Sequence, residues 1–187
     1  ITRSLTPNRR TVLRSIGAAG FATTLQTGTV IGASGDGSSS TYGFETGLDE
    51  WTVVEDSFSR TNRVAYEGSY AAGLDSSGSI DTVAYVDLSE TIRPEGLNFA
   101  WRETSGSFGG GILLRNENDD MECFAGSNNP QWIVIGDNSP DGPGSTYVPG
   151  DVSKYDRWIQ TELEFDWSDN SFTVTFTDAE TGSTATE

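Results

Sequence analysis

The stretch Ile159-Gln160-Thr161-Glu162-Leu163-Glu164-Phe165, with Phe172-Thr173-Val174-Thr175-Phe176-Thr177 just behind it, decides the fold of this chain. Successive side chains of a β-strand point to opposite faces, so an alternation of period two separates a buried side from a wet one. Ile159, Thr161, Leu163 and Phe165 fall on one side, and Gln160, Glu162 and Glu164 on the other. The second segment repeats the pattern, with Phe172, Val174 and Phe176 inward and Thr173, Thr175 and Thr177 outward. Between them, Asp166 to Ser171 carries the Ser-Asp-Asn composition of a hairpin loop. The rings are predicted to face a core and the carboxylates to face solvent.

Outward from this hairpin the same period recurs. Leu97, Phe99 and Trp101 form another same-face row, and strands are expected at 52–55, 69–74, 82–88, 97–103 and 131–136. A second hairpin about Asn116 to Asp120 joins GGGILLR to MECFAG. Gly109-Gly110-Gly111 suits a bulge or a close strand approach. Gly, Asn, Asp and Pro interrupt the apolar segments every ten residues or so, with no helical period and no internal repeat. The pattern predicts an all-β, antiparallel, two-sheet β-sandwich.

The chain has 187 residues, enough for one domain with a real core. Its formal charge is −17, from 28 acidic and 11 basic side chains. Arg3, Arg9, Arg10 and Arg14 all precede the first acid, Asp36, so the part after them is more acidic still. Such a field repels phosphate backbones and anionic lipid heads, which argues against nucleic acid and membrane surfaces as partners. With 5 Trp, 9 Phe and 6 Tyr the acidity does not signal disorder. Lys154 is the single lysine, and carboxylates this dense with lysine this scarce suggest a halophilic protein, whose self-repulsion molar salt screens. There is no histidine, so histidine triads and His-ligated zinc are excluded. Cys123 stands alone in an alternating segment, as a small packed hydrophobe would.

Asn8-Arg9-Arg10-Thr11-Val12-Leu13-Arg14 precedes a weakly apolar run rich in Gly, Ala and Thr, from Ile16 to Ala33. The arrangement resembles a twin-arginine export signal, with Ile31-Gly32-Ala33 supplying small residues for cleavage. Residues 1–33 are therefore expected to be a signal peptide, 34–41 (SGDGSSST) a Gly/Ser linker, and 42–187 the domain, located outside the cell or at its surface. The run is too polar for a stable membrane span.

Gly43-Phe44-Glu45-Thr46-Gly47-Leu48-Asp49-Glu50-Trp51 and Tyr66-Glu67-Gly68-Ser69-Tyr70-Ala71-Ala72-Gly73-Leu74 resemble the opening of secreted jelly-roll modules. These are the concanavalin A-like and laminin-G-like group and related carbohydrate-binding modules. Tyr155-Asp156-Arg157-Trp158 leading into Glu162 to Trp167 is similar to the hairpin near the end of the concanavalin A-like group. The resemblance implies a jelly roll that binds sugar on a concave face or at loop tips and often carries a structural calcium. It also implies at least one closing strand beyond Glu187, so that the domain over 42–187 is expected to lack its last strand and to leave an edge open.

In the β-glucan-cutting members of that group, Glu-x-Asp-x-Glu or Glu-x-Asp-x-x-Glu faces the cleft, and retaining hydrolysis needs two carboxyls about 5 Å apart. The nearest match here, Glu164-Phe165-Asp166-Trp167-Ser168-Asp169, ends in Asp on a turn, while Glu162 and Glu164 share one strand face. The alternative catalytic residues are thus Glu162, Glu164 and Asp166. For sugar stacking, the candidates are the aromatics of the loop-rich middle, Trp132, Tyr147 and Tyr155, whereas Trp51, Trp101 and Trp158 sit in core-like patterns. Neither Asp137 to Gly142 nor Asn116 to Asp120 completes a calcium loop, and by resemblance Glu45 is the candidate metal ligand. The expected function is non-catalytic binding of a polysaccharide or glycosylated cell surface. The alternatives are a glycoside hydrolase and an adhesive domain.

Overall fold

In a computed structural model, the described residues are 12–17, 23–32, 39–54, 58–74, 81–87, 94–103, 109–115, 121–128, 131–139, 142–148, 155–169 and 171–186. They form fifteen strands and no helix. In chain order these are β1 (Val12–Gly17), β2 (Thr23–Gly32), β3 (Ser39–Tyr42), β4 (Thr52–Val53), β5 (Phe58–Thr61), β6 (Ala71–Leu74), β7 (Asp81–Asp87) and β8 (Pro94–Glu103). Then follow β9 (Gly109–Arg115), β10 (Met121–Asn128), β11 (Gln131–Ser139), β12 (Gly142–Val148), β13 (Trp158–Asp166), β14 (Ser171–Asp178) and β15 (Thr184–Thr186). One sheet runs β12-β11-β10-β9-β1-β7-β4, the other β15-β14-β13-β8-β2-β6-β5, with β3 paired to β2. All the strand pairings are antiparallel.

The hairpin that the alternation predicts is present as β13 and β14, in register from Ile159 opposite Asp178 to Asp166 opposite Ser171. Ile159, Thr161 and Leu163 are buried, and Gln160, Glu162 and Glu164 are exposed. β8 lies on the other side of β13, so that Trp101, Phe99 and Leu97 stand opposite Ile159, Thr161 and Leu163. One buried cluster joins these rows to Ala84 and Val86 of β7, Ile112 and Leu114 of β9, and Cys123 and Ala125 of β10. Both sheets thus contribute to one core, consistent with a β-sandwich.

The predicted close approach in the glycine run is made by Gly111. A Cβ there would stand 2.7 Å from the Gly126 Cα of β10 and closer still to the Ala125 carbonyl oxygen. The segment Asn116 to Asp120 lies outside the described residues.

The stretch read as leader and linker contributes strands here. β1 lies between β7 and β9, and β2 between β8 and β6, while Ser39 to Tyr42 pairs with β2. The β-branched residues of Thr23 to Gly32, four Thr with Val30 and Ile31, suit a strand as well as a leader, because such side chains fit a pleated surface. Arg9 and Arg10 lie outside the described residues.

Candidate functional site

The outward face of β13 and its neighbours is where the exposed chemistry collects. Trp158 shares its strand parity with Gln160, Glu162 and Glu164, so it points away from the core that Ile159 enters, and it is half-buried. Its cross-strand partner on β8 is Arg102, followed along the face by Gln160 beside Ala100, Glu162 beside Asn98 and Glu164 beside Gly96. On the other flank β14 adds Thr177, Thr175 and Thr173 opposite Gln160, Glu162 and Glu164, and β15 adds Thr184 and Thr186. Gly96 and Ala100 are buried and small, so β8 forms a low floor along the face.

The Tyr66 ring closes one end of this face, with its centroid 5.7 Å from that of Trp158 and the planes inclined by 54°. Both rings are half-buried. Tyr155, one of the three predicted stacking aromatics, sits at the same end: it is half-buried and bridges to Glu103, the last residue of β8. The link holds because Asp156 takes a left-handed φ of 58° and donates its N–H to the Glu103 carbonyl at 2.7 Å. Asp tolerates that conformation better than most residues.

Trp132 and Tyr147, the other two predicted aromatics, belong to the other sheet, Trp132 on the strand expected at 131–136 and Tyr147 on a strand in a segment read as loop. β11 and β12 extend from Gln131 to Val148 with only two residues between them. Trp132 to Ile135 is a continuous apolar run, and the segment Gly142 to Val148, with its Gly and Pro, pairs with it as a strand. Trp132 stands opposite Val148 and Tyr147 opposite Ile133, one register step out of phase; their side chains lie outside the described ones. The structure therefore does not bring the three predicted aromatics together. Trp158, read as core-like, instead shares the outward parity of Gln160 and is half-buried. Trp51 and Trp101 are buried as expected, Trp51 within an aromatic cluster with Phe44 and Phe58.

Glu162 and Glu164 lie side by side on the outward face, with Cα atoms about 6.8 Å apart for two extended residues. Asp166 is committed to the turn. Its Oδ1 accepts the Ser168 hydroxyl at 2.6 Å and the N–H groups of Ser168 and Asp169 at 2.9 and 3.3 Å. These bonds, the Ser168 hydroxyl foremost, hold its carboxyl below the usual range, which keeps it ionised.

Glu45 holds the opening motif together. Its Oε1 accepts the N–H groups of Ser69 and Tyr70, both at 2.9 Å, and these bonds hold its carboxyl below the usual range. Arg60 completes the clasp by donating to the Phe44 carbonyl at 2.5 Å and to the Glu45 carbonyl, with its guanidinium 3.3 Å from the Tyr70 ring centroid. Calcium takes six to eight oxygen ligands. Among the described residues no group of three His, Cys, Asp or Glu is placed to hold a metal ion.

Gly68 makes the clasp possible. Its φ is 69°, and an added Cβ would overlap the Glu45 carboxylate. Gly68→Ala is expected to lower the unfolding free energy by about 1–3 kcal/mol, from the left-handed backbone and the displaced carboxylate. Urea unfolding checks this, and in a Glu45→Ala background the penalty should shrink to the backbone part.

Compared with known proteins, the chain matches no protein family, no curated protein and no solved structure.

Proposed function

We propose that the chain is an exported, salt-adapted, carbohydrate- or surface-polymer-binding domain of the concanavalin A-like jelly-roll type, working by stacking and hydrogen bonding without covalent chemistry. The observation that carries this is the half-buried Trp158–Tyr66 pair at the end of a polar sheet face. Aromatic rings offer a flat apolar surface to the C–H face of a pyranose. Gln160, Asn98, Thr175 and Thr177 follow at strand spacing and supply amide and hydroxyl partners for sugar hydroxyls. On this reading Trp158 and Tyr66 replace Trp132 and Tyr147 as the stacking residues, and Tyr155 borders the same site.

The export part rests on the Arg-Arg motif and the weakly apolar run behind it. Loss of residues 1–33 with a signal would withdraw the strand between β7 and β9 and the one between β8 and β6.

Retention on a panel of insoluble polysaccharides in molar salt tests the proposal. The wild-type protein is expected to bind at least one of them, and Trp158→Ala to bind it about tenfold or more weakly, as expected for a central aromatic anchor. Because Trp158 is not part of the core, its thermal midpoint should change little. Release of reducing ends, lost in Glu164→Gln, would replace binding by glycoside hydrolysis at Glu162 and Glu164. Retention on none of the polysaccharides would leave the adhesive alternative.

A further inference from the structure

We propose, building on the polysaccharide-binding reading, that the ligand is an anionic polysaccharide: a uronate carboxylate pairs with Arg102 while a neighbouring sugar ring stacks on Trp158 and Tyr66. Cations are scarce in this chain, with 11 Lys and Arg against 28 acids. Two of them, Arg102 and Arg157, flank the one half-buried tryptophan of the outward face of β13. Arg157 is already engaged, since its Nη1 lies 2.9 Å from Asp178 Oδ2 inside the turn after β14.

Arg102 is not engaged in that way. Among the described residues it pairs with Asp156, at 3.9 Å and with a side chain 57% exposed, and no hydrogen bond fixes its guanidinium. A pair that long and that wet contributes little to stability. The Arg102 side chain is 25% exposed, and long cationic side chains bury the stem while keeping the charged head toward water. Held this way, the planar guanidinium presents parallel N–H donors that match a carboxylate in bidentate fashion.

The rest of the face sorts the ligand by charge. Glu162 and Glu164 stand two and three rows along from Arg102 and repel an acid there, so the carboxylate is directed to the Arg102–Trp158 end. The overall charge of −17 opposes any polyanion at long range. In molar salt the Debye length falls to about 3 Å, which removes that repulsion while leaving contact-range pairing.

The experiment uses the full chain in molar salt with hyaluronate, alginate and polygalacturonate, each as the free acid and as its methyl ester. Within a pair the backbone is the same and only the carboxylate charge differs. The free acid of at least one pair should bind about tenfold more tightly than its ester. Arg102→Gln should abolish that preference while still binding the ester, Arg102→Lys should restore part of it, and Trp158→Ala should weaken both forms. Circular dichroism confirms that each variant is folded. Esters or neutral glucans held as tightly as the acids, or an Arg102→Gln variant that keeps the preference, would overturn the anionic assignment and leave polysaccharide binding standing. Retention of none of these, nor of any neutral polysaccharide, would overturn both.

Discussion

Trp101→Ala is expected to cost the protein about 3–5 kcal/mol of unfolding free energy, the usual range for removing a large aromatic from a packed core. Trp101 is 0% exposed, and it lies in the inner row that links β8 to Ile159 of β13. Its indole N–H donates to the buried Thr161 hydroxyl at 2.9 Å. Truncation therefore leaves both a cavity and an unpaired hydroxyl, and the second adds to the first. Trp101→Phe retains much of the ring volume and should cost less, and pairing it with Thr161→Val should cost less than the two changes summed. Urea unfolding in molar salt checks all three. Since Ala100 and Arg102 are the outward neighbours of Trp101 on β8, the Trp101→Ala variant should also lose polysaccharide retention.

Asp178→Asn should destabilise the protein by about 2–3 kcal/mol at neutral pH and by much less in acid. Asp178 is 2% exposed, and burial alone would raise its pKa. The N–H groups of Glu180 and Thr181 at 2.9 and 3.1 Å, with Arg157 at 2.9 Å, outweigh burial and hold the carboxyl below the usual range. Because Arg157 is 35% exposed, the loss falls below that of a fully buried pair. The folded carboxyl gives up its proton more readily than the unfolded one, so the unfolded chain binds more protons as pH falls. The contribution is complete above the ordinary Asp value of about 4 and fades as pH drops through the lower folded value. Urea midpoints of wild type and Asp178→Asn, compared at neutral pH and near pH 3, should converge in acid.

This aspartate also shows how far the alternation carried. Asp178 follows Phe176 at the core-facing parity, where a period-two reading expects an apolar residue. What makes it tolerable is the turn behind it and Arg157 from the start of β13, neither of which the alternation reveals. The Asp166 to Ser171 loop was legible for a local reason, since Asp166 caps its own turn within three residues. The segment of Tyr147 was read as loop because Gly and Pro mark edges and short hairpins as readily as irregular segments, whereas Trp132 lies on the strand expected at 131–136.

Antiparallel strands, and the residues of the late hairpin that turn inward, are written in the local order of side chains. Strand geometry imposes a period of two on any sequence that buries one face, so that information is local. Only the tertiary structure decided which strands stand beside β13. Pairing across a sheet joins residues distant in sequence, and many registers satisfy one alternation. The meeting of Trp158 with Arg102 and Tyr66, of Glu45 with the Ser69 and Tyr70 amides, and of Arg157 with Asp178 belongs to that second kind, and the candidate site is made of it.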